Sequence, residues 1–390
     1  MAALQPIKSS VRTIIMLEKY KEMLEDKTAI GELATFVPNK KLPVYNWLYF
    51  KEGFSKELVN SLAEQFRLQP GMTVLDPFCG SGTTLVACRE LGIDSIGFDV
   101  LPLSVFAAHV KTRGYDTAKL KEASAQLFSQ RFMKIKEEFP PIMKKAFSKY
   151  ALEDISFFRR NIAQIEDDTM RNFFLLALIS AAIRVSYAWK DGAVIKIRKS
   201  HRPPLRFMLK RTIQRMIKDA GKMKGRAQCT VQQRDARTMK LDDETIDAII
   251  TSPPYLNQID YTKVYEIENL FIRGLYEKPP MRSYIGLESD TEFLPELDLP
   301  KAASAYFHDI HEVLEEMHRV CKPGAMIAIV VGNAYFPGRI VDSDLIICHL
   351  ADSAGFKIDR ISVLNTRYAL EDRTTKKGVL RESMIIMHKS

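Results

Sequence analysis

The stretch Val74-Leu75-Asp76-Pro77-Phe78-Cys79-Gly80-Ser81-Gly82-Thr83-Thr84 constrains the fold of this chain more than any other. An apolar strand, Met72–Pro77, runs into a loop with two glycines. A helical pattern, Thr83–Leu91, follows at once and is stopped by Gly92 in a C-cap position. Gly80 and Gly82 can take positive φ and let the backbone approach a ligand with no Cβ in the way. A loop that feeds a helix N-terminus presents free N–H groups to a carboxylate or phosphate. A second strand, Ser95–Phe98, ends in Asp99, where a carboxylate can accept from both hydroxyls of a ribose. That much fits NAD, a nucleotide or S-adenosylmethionine. No lysine follows the glycines as it would in a P-loop, which speaks against an NTPase.

The pattern continues beyond this unit. Apolar strands are expected at Cys229–Gln232, just before Arg234-Asp235, and at Ala248–Ile250, Met326–Val331, Phe356–Val363 and Ser383–His388. Helices are expected at Val264–Leu275, Ala305–Val320 and Leu345–Ala351, and over residues 16–24. Another should start from an N-cap at Ser55, with Leu58, Val59, Leu62 and Phe66 on one face. Continuous apolar strands separated by helices describe a parallel sheet covered on both faces. The run from Asp99 to Ala248 is too long for one strand and its connections. Roughly 100 residues are therefore inserted, given ordinary element and loop lengths. The insertion reads as helical at Phe157–Gln164, Arg171–Trp189 and Leu205–Lys222. The expected organisation is an N-terminal helical arm over 1–45, a catalytic domain made of 46–115 and 227–390, and a helical basic insertion over 116–226.

Charge is concentrated in that insertion. The chain of 390 residues carries a formal net charge of +9. Between Lys190 and Arg226 alone there are 13 Lys or Arg and two acids, Asp191 and Asp219, so the rest of the chain is slightly acidic. Arg198, Lys199, Arg202, Arg206, Lys210, Arg211 and Arg215 form a dense row, the kind of surface that neutralises phosphates. No apolar run is long enough for a transmembrane helix and the N-terminus lacks a signal-peptide layout, so a cytoplasmic protein is expected. The five cysteines form no metal-ligand spacing. His308, His311 and His318 share one helix face and read as decoration of that helix, with no metal expected.

Asp247-Ala248-Ile249-Ile250-Thr251-Ser252-Pro253-Pro254-Tyr255 is the second constraining segment, a buried strand ending in a stiff, polar, aromatic-tipped turn. With Asp76-Pro77-Phe78 before the glycines and Thr83-Thr84 after them, the pair resembles the DNA amino-methyltransferases, which transfer a methyl group from S-adenosylmethionine to the exocyclic amine of cytosine or adenine. The block Trp47-Leu48-Tyr49-Phe50 with Gly53-Phe54-Ser55 resembles the family's segment beside the methionine end of the cofactor. The order of segments is that of the unpermuted branch of the family. The resemblance implies a Rossmann-like α/β fold, a mostly parallel seven-stranded sheet with an antiparallel C-terminal strand.

It also implies roles. Tyr49, Phe54, Asp76, Pro77, Phe78, Gly80, Ser81, Gly82, Thr83, Asp99, Asp235, Ala236 and Thr251 would surround the cofactor. Asp76 would meet its ammonium and Asp235 its adenine amine. Ser252, Pro253, Pro254 and Tyr255 would be catalytic. An aryl amine is a poor nucleophile because its lone pair is delocalised, and hydrogen-bond acceptors such as Ser252 Oγ and the Pro253 carbonyl can turn that lone pair toward the methyl. Tyr255 offers a face on which an extruded base can stack. The sulfonium is already electrophilic, so the remaining task is positioning. Asn257, Gln258, Asp260, Tyr261 and Asn333 are candidates for the base pocket. No Pro-Cys dipeptide occurs, so the nucleophilic cysteine of carbon-5 enzymes has no counterpart, and Cys79 reads as a small filler.

Double-stranded DNA is the partner this implies, with a cognate restriction endonuclease as a candidate second one and nucleoid association when DNA is bound. Within the family, Ser-Pro-Pro-Tyr is commonest among cytosine-N4 enzymes, while Asn or Asp in the first position is commoner for adenine N6. Cytosine N4 is therefore the expected target, with adenine N6 as the alternative. An RNA guanine-N2 methyltransferase and a non-catalytic nucleic-acid-binding subunit are the rival classes.

Overall fold

The computed structural model describes residues 17–192, 194–223, 225, 227–256, 261–277, 292–336, 339–371 and 374–390. A short edge strand, β1 (Leu24–Asp26), leads through three 3₁₀ turns to α1 (Lys56–Gln65). Ser55 caps α1, its Oγ accepting from Leu58 N at 3.1 Å. The strand–loop–helix unit is β2 (Thr73–Asp76) and α2 (Thr83–Leu91), followed by β3 (Asp94–Asp99) and α3 (Pro102–Thr112). The inserted segment holds α4 (Thr117–Ser129), α5 (Pro141–Ala146), α6 (Lys149–Ala163), α7 (Asp168–Val185), a hairpin of β4 (Ala188–Asp191) and β5 (Val194–Ile197), and α8 (Leu205–Ala220). The sheet resumes with β6 (Cys229–Gln233) and β7 (Ile246–Thr251). After α9 (Lys301–Val320) come β8 (Cys321–Gly332), a small hairpin of β9 (Ala334–Phe336) and β10 (Arg339–Val341), α10 (Ser343–Ser353), β11 (Phe356–Glu371) and β12 (Thr375–Lys389).

The main sheet has eight strands in the order β1-β11-β12-β8-β7-β2-β3-β6. Only β12 runs against its neighbours, pairing antiparallel with both β11 and β8. The expected Rossmann-like sheet is present, with β1 added at one edge in parallel with β11. The chain leaves β2 toward β3 and β6 on one side and returns to place β7 on the other side, with Val74 opposite Ala248. Strand order reverses between β2 and β7. In open parallel sheets the crevice at such a point, beyond the carboxyl ends of the strands, is where ligands bind. Both sequence motifs end there.

The insertion is built around α7, whose residues 173–182 are all buried. A helix apolar on every side has to be surrounded, and here α6, α8 and α3 supply the surroundings. The same apolar cluster contains Trp47 and Phe50 from the N-terminal aromatic block. Trp47 is fully buried, donates from Nε1 to Asp219 on α8 at 3.1 Å, and meets the Phe173 ring edge-on at 5.4 Å. The insertion and that aromatic segment thus form one core.

Three local expectations differ from the structure. The helix expected over Val264–Leu275 is two four-residue turns, Tyr261–Val264 and Glu266–Asn269. Tyr265, between them, is drawn out of helical register by tertiary contacts: its ring stacks on Phe50 at 5.0 Å, its phenol donates to Glu52, and Lys190 Nζ lies 3.3 Å from its centroid. The expected Arg171–Trp189 helix ends at Val185, and Trp189 lies in β4. Asp191-Gly192 followed by the apolar, basic-interrupted run Val194-Ile195-Lys196-Ile197 is the signal for that hairpin. Residues 17–21 are helical as expected, but Leu24 belongs to β1. Among the described residues no helix is long and apolar enough to cross a membrane.

Candidate active site

The cofactor loop owes its path to Gly82, the N-cap of α2, which has φ +83°. A Cβ there would lie 2.9 Å from Ala108 Cβ, so only glycine lets α3 pack this close. The first turn of α2 carries N–H groups without intrahelical partners, and the helix dipole adds partial positive charge at the same point. The Phe50 ring packs on the loop at Gly80, where a Cβ would come within 3.1 Å of it.

Asp76, at the carboxyl end of β2, is buried and holds the two motifs together. Its Oδ1 accepts from Thr251 Oγ1 at 2.7 Å and from Phe78 N at 3.2 Å, and its Oδ2 accepts from Thr84 Oγ1 at 2.7 Å. Asp99, at the end of β3, accepts from Gly80 N at 3.0 Å and Leu101 N at 2.8 Å. Burial pushes both carboxyls up to about 6, against the pull of these donors. Each acid thus fixes the loop from the carboxyl end of its strand. Asp235 follows β6 and forms a two-pronged pair with Arg237, Nη2–Oδ2 at 2.6 Å and Nε–Oδ1 at 3.0 Å. Arg237 also reaches Asp309 on α9 at 2.7 Å. Ala236 is buried beside it.

The catalytic turn leaves β7 next to β2. Thr251 and Pro253 are buried, while Ser252, Pro254 and Tyr255 are partly exposed. Tyr255 is held at both ends. Its phenol donates to Glu382 on β12 at 2.7 Å, and its ring covers Gly332 so closely that a Cβ there would come within 2.8 Å of it. Burial raises the Tyr255 phenol well above its ordinary range; Glu382 adds to that rise and the Ser252 hydroxyl opposes it. The turn therefore presents an acceptor, Ser252, beside a fixed aromatic face. Asn333 at the end of β8 is buried and donates to Asp342 at 3.0 Å, with its Oδ1 unpaired. Asn257, Gln258 and Asp260 lie outside the described residues.

The aromatic segment divides. Tyr49 is exposed and meets Phe36 edge-on at 5.6 Å, whereas Phe54 is buried in the cluster beneath α1 and α2. Phe50 is the member that touches the loop. Asn39, which the sequence did not single out, is fully buried, donates to the Phe54 carbonyl at 2.9 Å and accepts from Lys56 N at 2.9 Å. It stitches this segment to the loop beside Thr83. Cys79 is buried and its thiol is pushed well up by burial, as suits a filler.

The basic row also divides. Arg198, Lys199, Arg202, Lys210 and Arg211 are exposed. Arg206 turns inward: its Nη2 donates to the Phe128 carbonyl at 2.7 Å and its guanidinium lies 5.6 and 5.5 Å from the Phe128 and Phe158 rings. Arg215 is partly buried, near Arg184. On α9, His308, Asp309 and Glu312 bring ligand atoms within 4.8 Å of one another, with Asp309 already engaged by Arg237. His311 packs against Phe293 and His318 against Phe356.

A family model described as DNA methylase, N6_N4_Mtase, matches residues 37–103 and 246–389, more than half of the chain and both sides of the insertion. The chain is similar to the Type II methyltransferase M.BsoBI of Geobacillus stearothermophilus, 28% identical over 466 aligned positions that cover 95% of this chain and 91% of the relative. It is similar to the Type II methyltransferase M.AvaI of Nostoc sp., 24% identical with 86% and 83% covered. It is also similar to the Type II methyltransferase M.MjaII of Methanocaldococcus jannaschii, 23% identical with 73% and 71% covered.

Proposed function

Because this chain belongs to the N6/N4 DNA methylase family, and so is an S-adenosylmethionine-dependent methyltransferase acting on exocyclic amines of DNA, we propose that its target is cytosine N4 in duplex DNA at a defined site. The observation that carries the choice of base is Ser252 at the head of the Ser-Pro-Pro-Tyr turn. Ser252 Oγ and the Pro253 carbonyl accept from the two amine N–H bonds, which localises the nitrogen lone pair on the side facing the methyl. The two proline rings fix φ, so the turn is stiff and holds its carbonyls in place to accept. Tyr255, fixed by Glu382 and Gly332, stacks on the flipped cytosine. S-adenosylmethionine supplies the electrophilic methyl. The loop 78–83 and Asp99 would hold it in the crevice between β2 and β7, and Asp76 would meet its ammonium. The attack is then in line, and catalysis rests on alignment.

The insertion is the region we assign to DNA. Its exposed cations, Arg198, Lys199, Arg202, Lys210 and Arg211, are suited to phosphates and would set the register of the duplex. The Type II names of the relatives favour a fixed recognition sequence and a cognate endonuclease as a partner in the cell. Incubating the protein with duplex DNA and S-adenosylmethionine, then digesting to nucleosides for mass spectrometry, tests the base. N4-methylcytosine is expected, and N6-methyladenine in its place overturns the assignment.

A further inference from the structure

A lone cation stands behind the cofactor loop. Lys111, on the last turn of α3, is 1% exposed. Its ammonium donates to Ser81 Oγ at 3.1 Å, and the Phe36 ring lies 6.0 Å away. Among the described residues no carboxylate is within ion-pair distance of it. Desolvating an ammonium without a counter-ion is strongly unfavourable, and a methionine would fill the same space without that cost. A hydrogen bond to a serine does not require a charge. The position of Ser81 supplies what the charge is for. An ammonium can only donate, so Ser81 Oγ accepts from Lys111 and its own proton is free to point the other way. Ser81 lies between Gly80 and Gly82, immediately before the N-terminus of α2, where backbone N–H groups and the helix dipole already favour an anion.

We propose that Lys111 is a positioning residue for the anionic end of the cofactor, acting through Ser81 to hold the methionyl carboxylate of S-adenosylmethionine at the N-terminus of α2. The inference rests on the assignment of residues 78–83 as the cofactor loop and adds to it a residue outside every recognisable motif. It has a pH signature. Burial alone lowers Lys111 to about 7. None of the charged groups on the elements around it contributes to that shift, neither Arg89 on α2, His109 and Arg113 on α3, Arg171 on α7, Asp99 on β3 nor Glu268 after the catalytic turn. A bound carboxylate stabilises the charged lysine and raises its pKa. Binding just above neutral pH therefore takes up a proton, and affinity falls as pH rises through about 7.

The test is calorimetry on the full chain, slightly above neutral pH, in buffers of different ionisation enthalpy. Two ligands are used: S-adenosylhomocysteine and its decarboxylated analogue, which keeps the amine and lacks the carboxylate. The parent should take up a proton with the first and not with the second. Lys111→Met should abolish the uptake and weaken S-adenosylhomocysteine by about ten- to a hundredfold, the scale of a charged hydrogen bond, with the analogue unaffected. Lys111→Arg, charged at every pH used, should recover affinity without proton uptake. Ligand-free Lys111→Met should melt no lower than the parent, since it removes a buried charge, which separates lost affinity from lost folding. If Lys111→Met keeps the parent's preference for the carboxylate ligand, or the parent takes up no proton, the inference is overturned while the loop assignment stands. If the parent fails to bind S-adenosylhomocysteine, the loop assignment is overturned and this inference with it.

Discussion

Thr251 Oγ1 donates to Asp76 Oδ1 at 2.7 Å, and through that bond the last residue before the catalytic turn is fastened to the last residue before the cofactor loop. Thr84 completes the link from the first turn of α2 to the other oxygen of the same carboxylate. On the proposed reading, the bridge would set how far the methyl donor sits from the acceptor Ser252. Thr251→Val keeps the shape and deletes the donor. It should destabilise the protein by about 1–3 kcal/mol, the cost of leaving a buried charged acceptor one partner short. It should also lower turnover more than cofactor affinity. Thermal unfolding together with steady-state kinetics on the variant checks both.

The proposed stacking role of Tyr255 is separable from its bond to Glu382. Tyr255→Phe loses the bond to Glu382 and keeps the ring over Gly332, so a modest loss is expected, about 1 kcal/mol of stability, with base extrusion intact. Tyr255→Ala removes the stacking face, and a 2-aminopurine placed at the target position should then lose the fluorescence change that reports extrusion. Equal signals from the two variants would assign the stacking role to another residue.

Cofactor binding should weaken on acidification. Burial holds Asp76 and Asp99 at about 6 in the folded protein, above the ~3.9 of an unfolded aspartate. The folded state therefore binds these protons more tightly, and ionising the two acids costs stability progressively from about pH 4 to 6. A cofactor ammonium favours the ionised form of Asp76, so affinity for S-adenosylhomocysteine should fall as pH drops through about 6. Asp76→Asn should flatten that limb. A pH titration of affinity for parent and variant reads it directly.

On the DNA side, the exposed and inward cations should behave oppositely. Neutralising Lys199, Arg202 and Lys210 together should flatten the salt dependence of binding by up to about 2.7, at about 0.9 per phosphate contact, and leave cofactor affinity alone. Arg206→Ala should leave the slope unchanged and cost about 2 kcal/mol of stability, because it breaks the Phe128 carbonyl bond and the two ring contacts inside the insertion. Salt titrations on a fluorescent duplex and melting curves separate the two.

The sequence carried the sheet, the loop and the turn because each is written locally: apolar strands, glycines at the loop, a diproline at the strand end. The inward turn of Arg206 was also legible in principle. At 3.6 residues per turn, Arg206 points between Ile213 and Ile217, on the border of the buried stripe of α8. What was not legible depends on residues far apart in the chain. The pairing of Tyr255 with Glu382, the close approach of Gly332, the buried Asn39 beneath the loop and the Lys111–Ser81 bond all arise only once the strands are ordered. The break at Tyr265 has the same origin, since its contacts to Phe50, Glu52 and Lys190 outweigh its helical surroundings.

Beyond its contact with the Tyr255 phenol, the role proposed for Ser252 is to accept from the target amine. Single-turnover methyl transfer by Ser252→Ala, with parent and variant both saturated with S-adenosylmethionine and duplex DNA, tests it most directly. Losing one aligned acceptor should raise the barrier by about 2–4 kcal/mol, by analogy with losing one oxyanion donor, while affinities for cofactor and DNA remain those of the parent. A single-turnover rate equal to the parent's would contradict the account.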